Sequence, residues 1–336
     1  MITIKDIAAY VNLSPSTVSI VLNGNGDKRK ISKNTQKKIL EAARKLEYHP
    51  NTQAKILRGG FSSLMTITLF WTYDTRLNML SRFISGIERA LLTTGYPYDL
   101  QIKPYQNNFL KDSLTQQILL SSSGIIICNA SQIDLNFLDN FQSDIPIILY
   151  NRSSTRYTTV NMNDSVIGSI PAKIFLQHQK KHPALLKANA TFDGMDRRTE
   201  AFIQHLTSNS ITSTISITVE DSMRGGYDGA TTLCSLPHIP DCLFCTSDNI
   251  AIGALKAFHD NKIRIPDDIE IISVGNGNID QQEYSVPSLS VIHLPMEDMA
   301  AACLNKLYEA ISLFNNNIES IEFPVHYIPR ESCPDE

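Results

Sequence analysis

The 336-residue sequence lacks what several large classes of protein require. Its longest apolar runs, such as Gly124 to Cys128 and Ile145 to Tyr150, fall far short of the roughly 20 residues needed to cross a bilayer, so no membrane partner is expected. Met1-Ile2-Thr3-Ile4-Lys5-Asp6 has no basic stretch leading into a long apolar core. No secretory signal is therefore expected, and a cytoplasmic location is. The six cysteines, Cys128, Cys234, Cys242, Cys245, Cys303 and Cys333, lie mostly inside apolar stretches rather than in the dense framework of a small secreted domain, which predicts reduced thiols. Cys242 and Cys245 form a C-x-x-C, but Leu243 and Phe244 make the segment a β-strand, where positions three apart face opposite ways. Metal and redox chemistry are disfavoured there. No G-x-S-x-G, Walker A or H-E-x-x-H string occurs, and the eight histidines are scattered. Gly275-Asn276-Gly277-Asn278 superficially suggests a phosphate loop, yet Asp280 stands in place of the third glycine and no helix clearly follows. Neither enzymatic activity, a cofactor nor a metal is expected.

What is present is an ordinary globular balance, 42% apolar and 19% charged, in a chain long enough for two or three packed units. The net charge of -4 conceals an asymmetry. Met1 to Gly60 holds 11 Lys or Arg against 4 Asp or Glu, a balance of +7, and the remainder carries -11. A cationic segment on an acidic body suits a phosphate-binding module joined to a different working part.

Within that segment, Thr3-Ile4-Lys5-Asp6 is a capping box that predicts a helix from Ile4 to about Tyr10. Ser14 can cap a second helix with Pro15 at its first position, where the missing N–H costs nothing. That helix carries Ser16, Thr17, Val18, Ser19, Ile20, Val21 and Leu22, and only three or four residues separate it from the first, as a helix-turn-helix requires. Ser32 can cap a third helix through Leu46, with Ile39, Ala43 and Leu46 as its apolar stripe. Beyond Phe61 short apolar strands alternate with helical stretches. Strands are predicted at Leu64 to Phe70, Gly124 to Cys128, Ile145 to Asn151, Ala184 to Ala188, Thr214 to Val219, Cys242 to Thr246 and Ile269 to Val274. Leu77 to Thr93 and Ile250 to Asn261 read as helices. The expected body is an α/β fold of parallel sheets with helices on both faces, which binds ligands beyond the carboxyl ends of its strands.

The ordered run Ile4-Lys5-Asp6-Ile7-Ala8, Leu13-Ser14-Pro15-Ser16-Thr17-Val18-Ser19 and Val21-Leu22-Asn23-Gly24 resembles the head of the LacI/GalR family of bacterial transcriptional regulators. So does the continuation Ile31-Ser32, Ala42-Ala43 and Leu46 to Asn51. The resemblance extends through the body, most sharply at Thr246-Ser247-Asp248-Asn249-Ile250-Ala251-Ile252-Gly253 and at Pro146 to Arg152. It implies an all-α helix-turn-helix domain at 1–50, a hinge helix and linker at 51–60, and an effector-binding and dimerisation domain at 61–336. That last domain would resemble periplasmic sugar-binding proteins: two doubly wound lobes, with crossovers near 152–160, 287–293 and 320–325. A transport-binding protein of the same sensor fold would need export and would carry no basic head. The chain stops soon after the last family motif with no leucine heptad tail, which predicts a homodimer rather than a tetramer.

The implied partners are double-stranded DNA bearing a pseudo-palindromic operator and a small-molecule effector, most naturally a carbohydrate, and the implied mode is repression. Carried over position by position, the DNA-binding residues are Thr3, Ser14, Pro15, Ser16, Thr17, Ser19, Ile20, Asn23, Asn51, Ala54, Lys55 and Leu57. Leu57 would be levered between central base pairs of the minor groove, with Ala54 and Lys55 beside it. The hinge, Asn51 to Arg58, is too short to be a stable isolated helix in water and is expected to fold when paired on DNA. The basic residues of the loop Gly24 to Lys30 either follow the phosphates or are solvated charges. The implied effector residues are Tyr73, Asp74, Asn151, Arg198, Asp221 and Asp248. Carboxylates, an amide and an Arg suit a polyhydroxylated ligand, and Tyr73 or Trp71 can offer a flat apolar face. Asp221 stands where some relatives have a ring-stacking aromatic, Ala201 where Gly is common, and Gly275 to Asn278 where an aromatic-Asp pair is usual, so an unusual effector or a lost site is expected.

Ile20 departs from the family habit of Arg or another polar residue. Arg grips guanine through two hydrogen bonds, whereas Ile offers a dry surface to a thymine methyl. Selection from random duplex DNA should return a pseudo-palindrome. Ile20→Arg should then shift its preference at one symmetric base pair by about 1–3 kcal/mol. A half-site that does not change there refutes the assignment.

Overall fold

The computed structural model describes residues 4–22, 26, 29–46, 65–94, 98–312 and 317–335. The three expected head helices are present: α1 (Ile4–Val11), α2 (Pro15–Leu22) and α3 (Lys33–Lys45). The start signals of α2 and α3 act as the sequence suggested, since Ser14 Oγ accepts from Thr17 N and Ser32 Oγ from Thr35 N, each at 3.1 Å; Thr3, expected to cap α1, lies outside the described residues. Helix α1 ends where Asn12 turns to φ 55°, and Leu13 N then reaches back to the Ala8 carbonyl at 3.0 Å. Ile7, Ala8, Val11, Val18, Val21, Ile39, Ala42 and Ala43 close a small core between the helices. That core fixes which face of α2 remains for solvent.

The body contains two six-stranded sheets. The first holds β1 (Met65–Thr72), β2 (Tyr98–Tyr105), β3 (Gly124–Cys128), β4 (Ile147–Tyr150) and β5 (Thr158–Met162), together with the late β11 (Ser320–Phe323). Their order is β11-β5-β4-β3-β1-β2, and every pairing is parallel. The second sheet holds β6 (Pro183–Ala188), β7 (Ile215–Val219), β8 (Cys242–Cys245), β9 (Glu270–Gly275), β10 (Ser290–His293) and β12 (His326–Ile328). Its order is β12-β10-β9-β8-β6-β7, parallel except for the edge strand β12. β3, β4, β8 and β9 are buried along their whole length, as parallel strands covered on both faces must be. In β8, Cys242 joins the core on one face and Cys245 the core on the other, and both thiols are pushed upward by burial. The C-x-x-C is two faces of one strand.

The chain passes between the sheets three times. The first passage follows β5 and enters α8, (Asp164–Gln177), so it falls at 162–164 rather than near 152–160, because β5 is still hydrogen-bonded into the first sheet. The others run from β10 to α13 (Met296–Ser312) and from β11 to β12.

Helices pack in pairs beside the sheets, and glycine sets how closely. α4 (Leu80–Thr94) lies against α13 so tightly that a Cβ on Gly86 would sit 2.2 Å from the Glu297 carbonyl oxygen. Likewise α8 meets α9 (Asp193–Ser208) where a Cβ on Gly168 would sit 1.9 Å from the Arg198 carbonyl oxygen. Backbone cannot yield as a side chain can. Gly86→Ala should therefore lower the unfolding free energy by about 1–3 kcal/mol, the usual cost of overpacking, seen as a lower denaturation midpoint, with Ser85→Ala as a control. An unchanged midpoint would mean that the two helices separate freely.

Candidate ligand cleft and nucleic-acid interface

On the head, Val18 and Val21 face the core, leaving Ser14, Pro15 and Ser16 exposed with Thr17, Ser19 and Ile20 half-buried at their side. Ser16 and Ile20 are one helical turn apart and share a face. Ser14 and Thr17 hydroxyls bond each other at 2.8 Å, which fixes the first turn of α2. Lys38 Nζ caps the Val11 carbonyl at 3.3 Å, holding α3 against the end of α1. The expected DNA contacts Thr3, Asn23, Asn51, Ala54, Lys55 and Leu57 lie outside the described residues, as does the whole hinge segment.

In the body, the chemistry gathers past the carboxyl ends of the strands. Asp74 follows β1 and caps a 3-10 turn (Thr75–Met79) by accepting from Arg76 N at 3.0 Å. Its carboxylate also takes Arg76 Nε at 2.9 Å and Arg76 Nη2, a bidentate pair. Burial alone would raise the Asp74 carboxyl, and the Arg76 guanidinium outweighs it, holding the group below the usual range. Arg76 Nη1 continues to the Asn129 carbonyl at 3.2 Å and to Thr191 Oγ1 of the second lobe at 3.4 Å. Asn151 follows β4 in a left-handed conformation, φ 51°, with its amide bonded to the Val160 carbonyl at 2.7 Å. The turn throws Arg152 inward, where its guanidinium lies 3.7 Å from the centre of the Phe192 ring. Arg198 approaches the same ring at 5.9 Å and donates through Nε to Asp164 Oδ1 at 2.8 Å.

A cavity of about 440 Å³ opens here, with Asn151, Arg152, Asp164, Phe192 and Arg197 in its walls. Of the expected effector residues, Asn151 lines this cavity; Arg198 is paired to the wall residue Asp164, and Asp74, paired to Arg76, is not in the walls. Nor is Tyr73: it is 54% exposed, and its hydroxyl reaches Gln106 at 3.4 Å. Trp71 is core, 1% exposed, packed on Phe83 at 5.5 Å with its indole N–H on the Arg76 carbonyl. The ring that does face the cluster is Phe192, directly ahead of α9. No sequence spacing singled it out.

Asp221 and Asp248 form a second cluster at the ends of β7 and β8. Asp248 is 2% exposed and opens α11 (Asp248–Asp260). Its Oδ2 accepts from Gly277 N and Gln282 Nε2, both at 2.7 Å, and its Oδ1 from Asn249 N at 3.0 Å. With its amide nitrogen turned inward, Asn276 adds a fourth donor to Oδ1 at 3.0 Å. Burial pushes the Asp248 carboxyl upward, and the Gln282 and Gly277 donors pull it back. Asp221 accepts from Ser247 Oγ next door. The departure at Gly275 to Asn278 now has a physical sense: a Cβ at Gly277 would lie 2.8 Å from both Asp248 oxygens, so the loop closes over this carboxylate only with glycine there. Contrary to expectation a helix does follow, the single turn Ile279–Glu283, capped by Asn278. It delivers Gln282 to Asp248, and Asp248 does not line the 440 Å³ cavity.

Arg82 joins the lobes. From α4 it forms a two-point pair with Glu297 (2.7 and 2.8 Å) and donates to the carbonyls of Gly275, 3.1 Å, and Leu294, 2.8 Å. Sequence reasoning passed over Arg82, Arg152 and Asp164 because their partners lie far away along the chain.

A family model for "Bacterial regulatory proteins, lacI family" matches residues 3–51, and one for "Periplasmic binding protein-like domain" matches residues 173–333. The probable HTH-type transcriptional repressor ExuR of Bacillus subtilis (strain 168) is 31% identical over 337 residues, covering 99% of this chain and 98% of that protein. Among solved structures, a LacI family transcription regulator from Clostridium acetobutylicum has a TM-score of 0.75 at 33% identity, over 79% of this chain and 99% of its own. The lac repressor dimer bound to operator and the anti-inducer ONPF shares the fold, with a TM-score of 0.72 at 18% identity over 99% of each chain. Matched at its head by the family's own model and along nearly its whole length by such a repressor, this chain belongs to the lacI family of bacterial regulatory proteins.

Proposed function

We propose that the chain is a homodimeric, sequence-specific transcriptional repressor whose operator affinity is set by a sugar-like effector held between its two lobes. The observation that carries this reading is the pairing of parts: a helix-turn-helix presenting Pro15, Ser16 and Ile20 on a +7 segment, joined to an acidic two-lobed body with a polar cleft. The second helix enters the major groove, where base edges carry the donor and acceptor code, while neighbouring polar and basic groups fix register on phosphates. Two such heads on a dimer meet successive major grooves, which makes the operator near-palindromic. Asn51, Ala54, Lys55 and Leu57 act at the minor groove between them. Operator DNA lies in the cytoplasm, and the protein works there. The similar ExuR and lac repressor proteins are repressors, which supports a sensor rather than an enzyme.

The lac repressor structure holds an operator and an anti-inducer together, which supports the same division of labour here. Effector in the cleft changes how Arg76 meets Thr191, how Arg152 meets Phe192 and how Arg82 meets Gly275. These contacts run between the lobes, so effector and DNA affinities are coupled reciprocally.

Purified full-length protein should retard a duplex carrying its selected pseudo-palindrome, with log affinity falling linearly in log salt by about 0.9 per phosphate contact. Ser16→Ala should weaken that complex more than a random duplex. Equal affinity for selected and random DNA at every salt concentration would reject sequence-specific recognition.

A further inference from the structure

The cations of the cleft can be matched to their anions one by one. Arg76 has Asp74, Arg82 has Glu297, and Arg198 and Arg197 share Asp164 at 2.8 and 3.6 Å. Arg152 has no carboxylate within ion-pair distance among the described residues. It is 5% exposed, and its Nε and Nη1 go to the backbone carbonyls of Ala130 and Asn151. A guanidinium has five N–H donors, so most of its capacity is left, on a group that lines the 440 Å³ cavity. Burial, and after it the neighbouring Arg76 charge, brings its pKa down to about 10. The remaining acids around the cavity, Asp139, Asp193 and Glu322, are exposed on its rim.

A second observation points the same way. Asn129, 4% exposed at φ 61° past the end of β3, has a buried Nδ2 with no acceptor. Its carbonyl takes Arg76 Nη1, and the adjacent Ala130 carbonyl takes Arg152 Nε. Arg152, bonded to the Ala130 carbonyl, and Asn129 next to it in the chain therefore both keep unused donors. Buried donors and cations are costly when unanswered, and a guanidinium is the group best shaped to hold carboxylate or phosphate oxygens.

We infer that the effector is anionic: its carboxylate or phosphate seats against Arg152, flanked by Arg76 and Asn129, while the rest of a sugar-sized ligand fills the cavity toward Asn151 and Asp164. This rests on the effector reading above and narrows it to sugar acids or sugar phosphates. A neutral sugar would leave the Arg152 charge with only the Phe192 ring face and two backbone carbonyls.

The test is thermal shift of the full-length protein across matched panels of neutral aldoses, their uronic acids and their phosphate esters, followed by calorimetry on whichever compounds bind. Binders are expected among the anionic compounds, with each neutral counterpart weaker by about tenfold or more. The panel that responds tells carboxylate from phosphate. Arg152→Gln should lose that margin and Arg152→Lys should keep part of it, with unliganded melting temperatures reporting folding of both variants. A neutral sugar that binds as tightly as its acid overturns the anionic inference and leaves the effector reading standing. An anionic binder indifferent to Arg152→Gln overturns Arg152 as its seat. No shift from any panel overturns both the inference and the sugar-like effector.

Discussion

The cost of placing charge in a half-dry cleft governs the body of this protein. Two parallel sheets direct the carboxyl ends of their strands toward a shared gap, and the polar residues that follow those ends must find partners or remain unsatisfied. Asp248 collects four donors from its own lobe. Asp164 is held by Arg198, Asp74 by Arg76 and Glu297 by Arg82. Each pair leaves one strand or helix end positioned relative to another. Where the matching stops, at Arg152 and Asn129, the protein keeps binding capacity for something else.

The same pairs also divide the cleft into a fixed part and an adjustable part. The Asp248 cluster is closed within the second lobe by Gly277 and Gln282, and it stiffens the start of α11. The contacts that bridge the lobes are of another kind: an aromatic face under Arg152, a hydroxyl on Arg76, two backbone carbonyls on Arg82. Such contacts exchange partners at small cost when lobes shift, whereas a buried carboxylate with four donors does not. A sensor needs both kinds, since a ligand can bias two arrangements only if the lobes themselves stay rigid.

The head was legible because its signals are local. Ser14 and Ser32 capped the helices they were expected to cap, and the apolar stripe Ile39, Ala43 and Leu46 marked the face that α3 turns to the core. The buried strands β3, β4, β8 and β9 were legible for a related reason, being short apolar runs bounded by polar residues. β2 was not: all of this edge strand except Tyr105 is exposed or half-buried with no regular alternation, and only its parallel pairing to β1 defines it. β5 and the passage after it were missed likewise, because register against β4 and β11 decides which sheet a strand joins.

By itself the sequence determined the three-helix head, its basic charge, the alternation of strands and helices and the family, since each depends on residues within about one turn or one strand of each other. Tertiary structure decided the cleft. Asp164 and Arg198 are 34 positions apart, Arg82 and Glu297 are 215 apart, and Asp248 meets Gln282 across 34. Which charges answer one another, and that Arg152 has no carboxylate partner among the described residues, depends on how the chain passes three times between two sheets, and no local pattern records that distance.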